Sequence, residues 1–207
     1  MNIFDELLNL IFPPKCEVCR RGSPEALCGE CFSQIKFMKP NLGIYSATAY
    51  DGVIKESIHR FKFNKRKKLA EPLGVLLVNY LGHKPGLKID ELDGIIPVPL
   101  HEKRMRERGF NQVELLASTL TKYFELPVTP ALERLKNTHP QFDLQRDARL
   151  NNVKGAFRVI NPKAVYNKKV LLLDDIYTTG ATISECGRVL KNAGAKRVEV
   201  LTLARAV

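Results

Sequence analysis

The thirteen residues from Val170 to Thr182, VLLLDDIYTTGAT, restrict the possible folds of this chain more than any other stretch. Four consecutive apolar residues, Val170 to Leu173, fit a strand buried on both faces of a parallel sheet, not an alternating edge strand. Asp174 and Asp175 follow where such a strand is expected to leave the sheet. Thr178, Thr179, Gly180, Ala181 and Thr182 then supply small residues and hydroxyls ahead of a helical pattern. This order suits a sugar phosphate: small residues admit backbone N–H groups to phosphate oxygens, and the positive end of the following helix favours the anion. The two carboxylates can accept hydrogen bonds from adjacent ribose hydroxyls or hold a divalent ion brought by a diphosphate.

Position by position, the stretch resembles the phosphoribosyl-diphosphate (PRPP) binding loop of type I phosphoribosyltransferases. A solvated turn followed by an N-cap is the plainer reading of two acids after a strand, but it does not account for all thirteen positions.

A chain of 207 residues can bury a good core, and 44% hydrophobic with 27% charged residues is ordinary globular composition. The charge is less ordinary. Lysine and arginine number 33 against 22 acids, a formal +11 that favours anionic partners, either nucleotide-like small molecules or nucleic acid. No run reaches the roughly 18 apolar residues of a membrane span. Asp5 and Glu6 stand where a secretory signal carries positive charge, so the expectation is a cytoplasmic protein.

Four of the five cysteines form two close pairs, Cys16-x2-Cys19 and Cys28-x2-Cys31. Two such turns facing each other make the tetrahedral four-sulfur site that suits structural zinc; a redox pair or a set of buried thiols are the other readings. The fifth, Cys186, falls in a predicted helix as a core residue.

Along the chain, Ile3, Leu7, Leu10 and Ile11 recur at helical spacing up to Pro13-Pro14. Gly43 to Tyr50 reads as a strand, Val53 to Phe63 as a helix with Ile54, Ile58 and Phe61 on one face, and Leu69 to Leu81 as another helix. Lys62, Lys65, Arg66, Lys67 and Lys68, interleaved with Phe61 and Phe63, form the densest positive run. It has the makings of a single-strand nucleic-acid surface, or of a solvated helix start beside core phenylalanines. A short strand from Ile95 to Leu100 leads into HEKRMRERGFNQ, where Asn111 is a good N-cap for a helix from Gln112 to Tyr123. Cations thus gather at a strand end and a helix start, where ligands bind in an open α/β sheet. A helix from Ala181 to Asn192 and a strand from Arg197 to Ala204 complete a βαβ unit.

The segment PVPLHEKRMRERGFNQVELLA, the segment RLKNTHPQFDLQRDARLNNVKGAF and the paired cysteines occur together in one family. From end to end the chain resembles the ComF/GntX-type phosphoribosyltransferase-like proteins, in the ComFC branch of bacterial competence. The resemblance implies an α/β fold: a type I phosphoribosyltransferase-like parallel sheet flanked by helices over residues 41–207. It is preceded, over residues 1–40, by an N-terminal helix and a small four-cysteine zinc finger. It also implies that Asp174, Asp175 and Thr178 to Thr182 bind PRPP with Mg2+, and that the segment after Arg134 is a loop closing on the diphosphate. Arg108, Lys136, Thr138, Gln141, Arg146 and Arg149 are the diphosphate candidates. By the same resemblance the protein handles single-stranded DNA in natural transformation, with a helicase-like competence ATPase as partner. An active transferase acting on a nucleobase or other small acceptor, and a zinc-dependent scaffold that recruits proteins, are the alternatives. The sequence contains no recognisable pocket for an acceptor base.

Overall fold

A computed structural model describes residues 13–39, 43–83, 86–137 and 153–206. The predicted N-terminal helix over residues 3–12 lies outside them. Four strands, β1 (Ile44–Ala49), β2 (Gly94–Pro97), β5 (Lys169–Tyr177) and β6 (Arg197–Arg205), form a parallel sheet in the order β1-β6-β5-β2. A separate antiparallel pair is made by β3 (Leu132–Arg134) and β4 (Phe157–Val159).

Alternation along the central strands explains the two cores. Leu171 and Leu173 of β5 and Leu201 and Leu203 of β6 join one buried cluster, while Val170 and Leu172 join the other. Helices α2 (Gly52–Phe63), α3 (Ala70–His83) and α5 (Gln112–Phe124) cover the first face, and α6 (Ala181–Asn192) covers the second. Cys186 is fully buried on the inner face of α6. Cys16, Leu27, Cys31 and Ile35 of the N-terminal segment, which includes the short helix α1 (Gly29–Ser33), belong to the same cluster as the first face. That segment also covers an edge of the sheet: Met38 N–H donates to the Ala47 carbonyl at 2.9 Å. At the opposite edge, β2 exchanges hydrogen bonds of 2.8 Å with Pro127 and Thr129.

Helices α3 and α5 meet closely at Gly74, where a Cβ would lie 2.4 Å from the Thr119 side chain. Two elements differ from expectation. First, β5 runs to Tyr177, four residues beyond the apolar run, because β6 continues to pair with it as far as Tyr177 and Arg205. The acids therefore lie within the strand, just beyond Leu173, the last residue paired with β2. Second, the stretch after His101, to which the sequence pattern assigns no element, forms a short helix, α4 (Glu102–Arg108). It is capped by the His101 side chain, which accepts the Lys103 N–H, and Gly109 ends it in the left-handed conformation.

Candidate functional site

The C-terminal ends of the parallel strands open onto one cavity of about 610 Å³. Tyr50 follows β1, Val98 to Leu100 follow β2, Asp174, Asp175, Ile176 and Thr178 come from β5 and its exit, and Ala206 follows β6. Helix α2 contributes Ile58, His59, Lys62 and Phe63, two adjacent pairs one helical turn apart, and so closes the cavity from the side. Arg104, Glu107 and Arg108 come from α4, Gln112 from the first turn of α5, and Arg134 from β3. Five lysines and arginines, with Lys65, thus face three acids. The excess is positive, as a phosphorylated ligand requires.

Asp174 and Asp175 are both buried. Burial and the neighbouring Asp175 charge raise the Asp174 pKa to about 7, against the opposing effects of Lys62, the Asp175 N–H and Arg134. Asp174 Oδ1 accepts that N–H at 2.8 Å. Asp175 Oδ2 accepts from Lys62 Nζ at 2.7 Å and from Gln112 Nε2 at 2.5 Å. Gln112 also accepts from Arg108. A chain of polar contacts therefore joins α2, β5, α5 and α4. Asn111 anchors it: its side chain accepts the Val113 N–H at 3.0 Å and donates to the Val98 carbonyl at 3.2 Å, fixing the start of α5 to the exit of β2. Burial lowers the pKa values of the Arg108 and Arg134 guanidinium groups, with Asp175 acting the other way on Arg108. Arg108 also lies over the Phe63 ring, 5.6 Å from its centroid.

The turn into α6 brings its small residues to the rim. Gly180 has φ +79°, a backbone conformation that favours glycine, and a Cβ there would lie 2.6 Å from the Tyr177 hydroxyl. Thr178 and Thr182 line the cavity, while Thr179, Gly180 and Ala181 form the turn between them.

The other predicted site residues are distributed as follows. Arg66 pairs with Glu17 at 3.5 Å, Lys67 lies over the Phe110 ring at 5.1 Å, and Lys68 faces solvent. Phe61 is a core residue against Phe110, whereas Phe63 is exposed. Lys136 Nζ donates to the Lys154 carbonyl at 2.8 Å. Thr138, Gln141, Arg146 and Arg149 lie outside the described residues. Sequence reasoning did not single out Tyr50, His59, Arg104, Glu107, Gln112 or Arg134 as site residues in their own right. Gln112 carried a usable signal, as the residue after an N-cap at a strand exit.

The four paired cysteines converge, with all their sulfurs within 4.8 Å of one another. Cys16 Sγ lies 3.8 Å from Cys31 Sγ, and Cys19 Sγ lies 3.7 Å from Cys28 Sγ. Zinc–sulfur bonds of about 2.3 Å in a tetrahedron require sulfur–sulfur edges of about 3.8 Å, so the cluster fits zinc and is too open for disulfides. Burial disfavours the Cys16 thiolate, yet hydrogen bonds from the backbone at Cys28, Cys19 and Val18 outweigh it and lower the pKa to about 6. All four ligands come from the protein, so the role is structural.

Residues 115–206 match the phosphoribosyl transferase domain model, and residues 7–43 match the double zinc ribbon domain model. Among the described residues no helix is long and apolar enough to cross a membrane. The glutamine PRPP amidotransferase from B. subtilis aligns at 16% identity with a TM-score of 0.47, over 70% of this chain and 30% of that one; so remote a likeness carries no functional argument. The chain is 30% identical to Competence protein F of Haemophilus influenzae over 195 residues, covering 86% of this chain and 84% of the relative. It is 32% identical to DNA utilization protein YhgH of Escherichia coli over 182 residues, covering 86% and 77%. It is 30% identical to Competence protein ComFC of Streptococcus pneumoniae over 208 residues, covering 97% and 85%. With that identity sustained over most of each chain, this protein belongs to the ComF/GntX family of phosphoribosyltransferase-like competence proteins.

Proposed function

We propose that the cavity binds PRPP with Mg2+ and that the protein uses this ligand in handling single-stranded DNA during natural transformation. One observation carries the reading: the acidic pair of β5 and the threonine-glycine turn into α6 meet in one cation-lined cavity. Thr178 to Thr182 and the first turn of α6 take the 5′-phosphate. Asp174 and Asp175 take the ribose hydroxyls or Mg2+, and Arg108 with Lys136 and the loop that follows takes the diphosphate. Hard carboxylate oxygens suit Mg2+, and Asp175 already holds a cation, the Lys62 ammonium, at 2.7 Å. When bound, Mg2+ would neutralise diphosphate charge.

The names of the relatives support the DNA reading. So does the exposed Phe63, with Lys65 beside it at the cavity and Lys67 and Lys68 exposed further along. Oligonucleotide affinity should fall steeply with salt, and flat behaviour, or no change on neutralising Lys65 to Lys68, counts against that surface. A helicase-like ATPase as partner belongs to the same reading. PRPP binding itself is tested by calorimetry with PRPP and Mg2+, where the absence of heat rejects it.

A second reading, ribosyl transfer to a planar acceptor, is favoured by the ring-bearing side chains Tyr50, His59 and Phe63 that line the cavity. Diphosphate release in the presence of an acceptor separates transfer from binding alone.

A further inference from the structure

Glu17 sits between the zinc-site cysteine Cys16 and Val18, and its side chain is only 12% exposed. Its carboxylate meets Arg66 Nε at 3.5 Å and Arg20 Nη1 at 3.4 Å, and its carbonyl accepts from Arg60. Arg60 and Arg66 bracket the end of α2 and the turn after it. Arg66 N–H donates to the Arg60 carbonyl at 3.3 Å, and Lys67 N–H donates to the Lys65 carbonyl at 2.9 Å. Between them Lys65 is held at φ +55°, the left-handed region that a lysine adopts only when its surroundings impose it. Lys62 and Lys65, the two lysines of the cavity, both lie inside this bracket.

We propose that the four-cysteine site is a positioning device for the cavity. Zinc fixes the first cysteine turn, and Glu17 carries that order to Arg60 and Arg66. These arginines in turn hold Lys62 and Lys65 where they face the cavity. Glu17 and Arg66 are positioning residues; neither lines the cavity nor ligates metal. The coupling is a link between two sites, so it is reciprocal: whatever loosens the turn at residues 64–67 must weaken zinc binding. It does not depend on what the cavity binds, and its test requires no PRPP.

The test is amide hydrogen exchange on the zinc-loaded full chain, together with equilibrium competition for zinc by a chelator. Removing zinc from the parent protein should raise exchange across residues 60–68 while residues 116–122, in the buried middle of α5, stay protected. Glu17→Gln retains its zinc and the carbonyl bond to Arg60, and should raise exchange at 60–68 roughly two- to five-fold, the range of one partly exposed ion pair. Arg66→Gln, which removes no cysteine, should weaken zinc affinity by a similar factor. Exchanging the partners as Glu17→Arg with Arg66→Glu should recover part of both effects, which a general packing defect would not. Unchanged exchange at 60–68 after zinc removal overturns the proposal. So does an equal rise throughout α5, or a zinc affinity in Arg66→Gln equal to the parent's.

Discussion

Lys62 Nζ lies 2.7 Å from Asp175 Oδ2, joining the last turn of α2 to the strand that carries both acids. The lysine and aspartate side chains are 15% and 8% exposed, so the pair is largely withdrawn from water. Removing the cation leaves two neighbouring carboxylates with less compensation. Lys62→Met should lower stability by about 3 kcal/mol at pH 8, read by urea denaturation. A loss within the range of a surface pair, below about 1 kcal/mol, would show that the ammonium does not neutralise the acids.

Asp174 gives stability a pH dependence of definite sign. Its pKa is about 7 in the folded chain and about 3.9 in an unfolded one. Between these values the folded state keeps a proton that the unfolded state has lost. This contribution therefore falls as pH rises from about 4 to 7 and levels off above, with a slope of at most about 1.4 kcal/mol per pH unit. Asp174→Asn should flatten that part of the curve, and an unchanged slope would assign the titration to another group.

Gly180→Ala introduces a side chain at φ +79°. The left-handed conformation costs a non-glycine residue about 1–2 kcal/mol, whereas the nearby Tyr177 hydroxyl is the far end of a side chain that can move. Thermal unfolding should show a loss of that size, and Tyr177→Ala should fail to rescue it. Full rescue would put the cost in the contact instead of the backbone.

Zinc content distinguishes the five cysteines. The purified chain should hold one zinc, and serine at Cys16, Cys19, Cys28 or Cys31 should abolish it. Cys186→Ala, buried in the second core, should leave metal content unchanged. Zinc retained after loss of any one of the four would argue against a four-thiolate site.

The legible parts of the fold are those where one periodicity dominates. Helix α6 matches its expected limits at Ala181 and Asn192, because Ile183, Cys186 and Leu190 mark one face and glycines stand on either side. Helix α4 was hidden because none of its seven residues is buried, so it has no apolar stripe to read. The apolar run ends at Leu173, but pairing with β6, a long-range contact, carries β5 on through Asp174 and Asp175. For the same reason a run of basic residues could not reveal which of them turns inward. Lys62 is aimed by helical phase toward Asp175, 113 positions away, while Arg66 turns to Glu17 in the cysteine segment.

Titration calorimetry of zinc-loaded protein with PRPP and Mg2+ tests the assignment of the cavity most directly, with Asp175→Ala and the solvent-facing Lys68→Ala measured alongside. Saturable one-site binding that is lost in Asp175→Ala and retained in Lys68→Ala is the expected result. No binding heat from the intact protein, or equal affinity in Asp175→Ala and the parent, would contradict it.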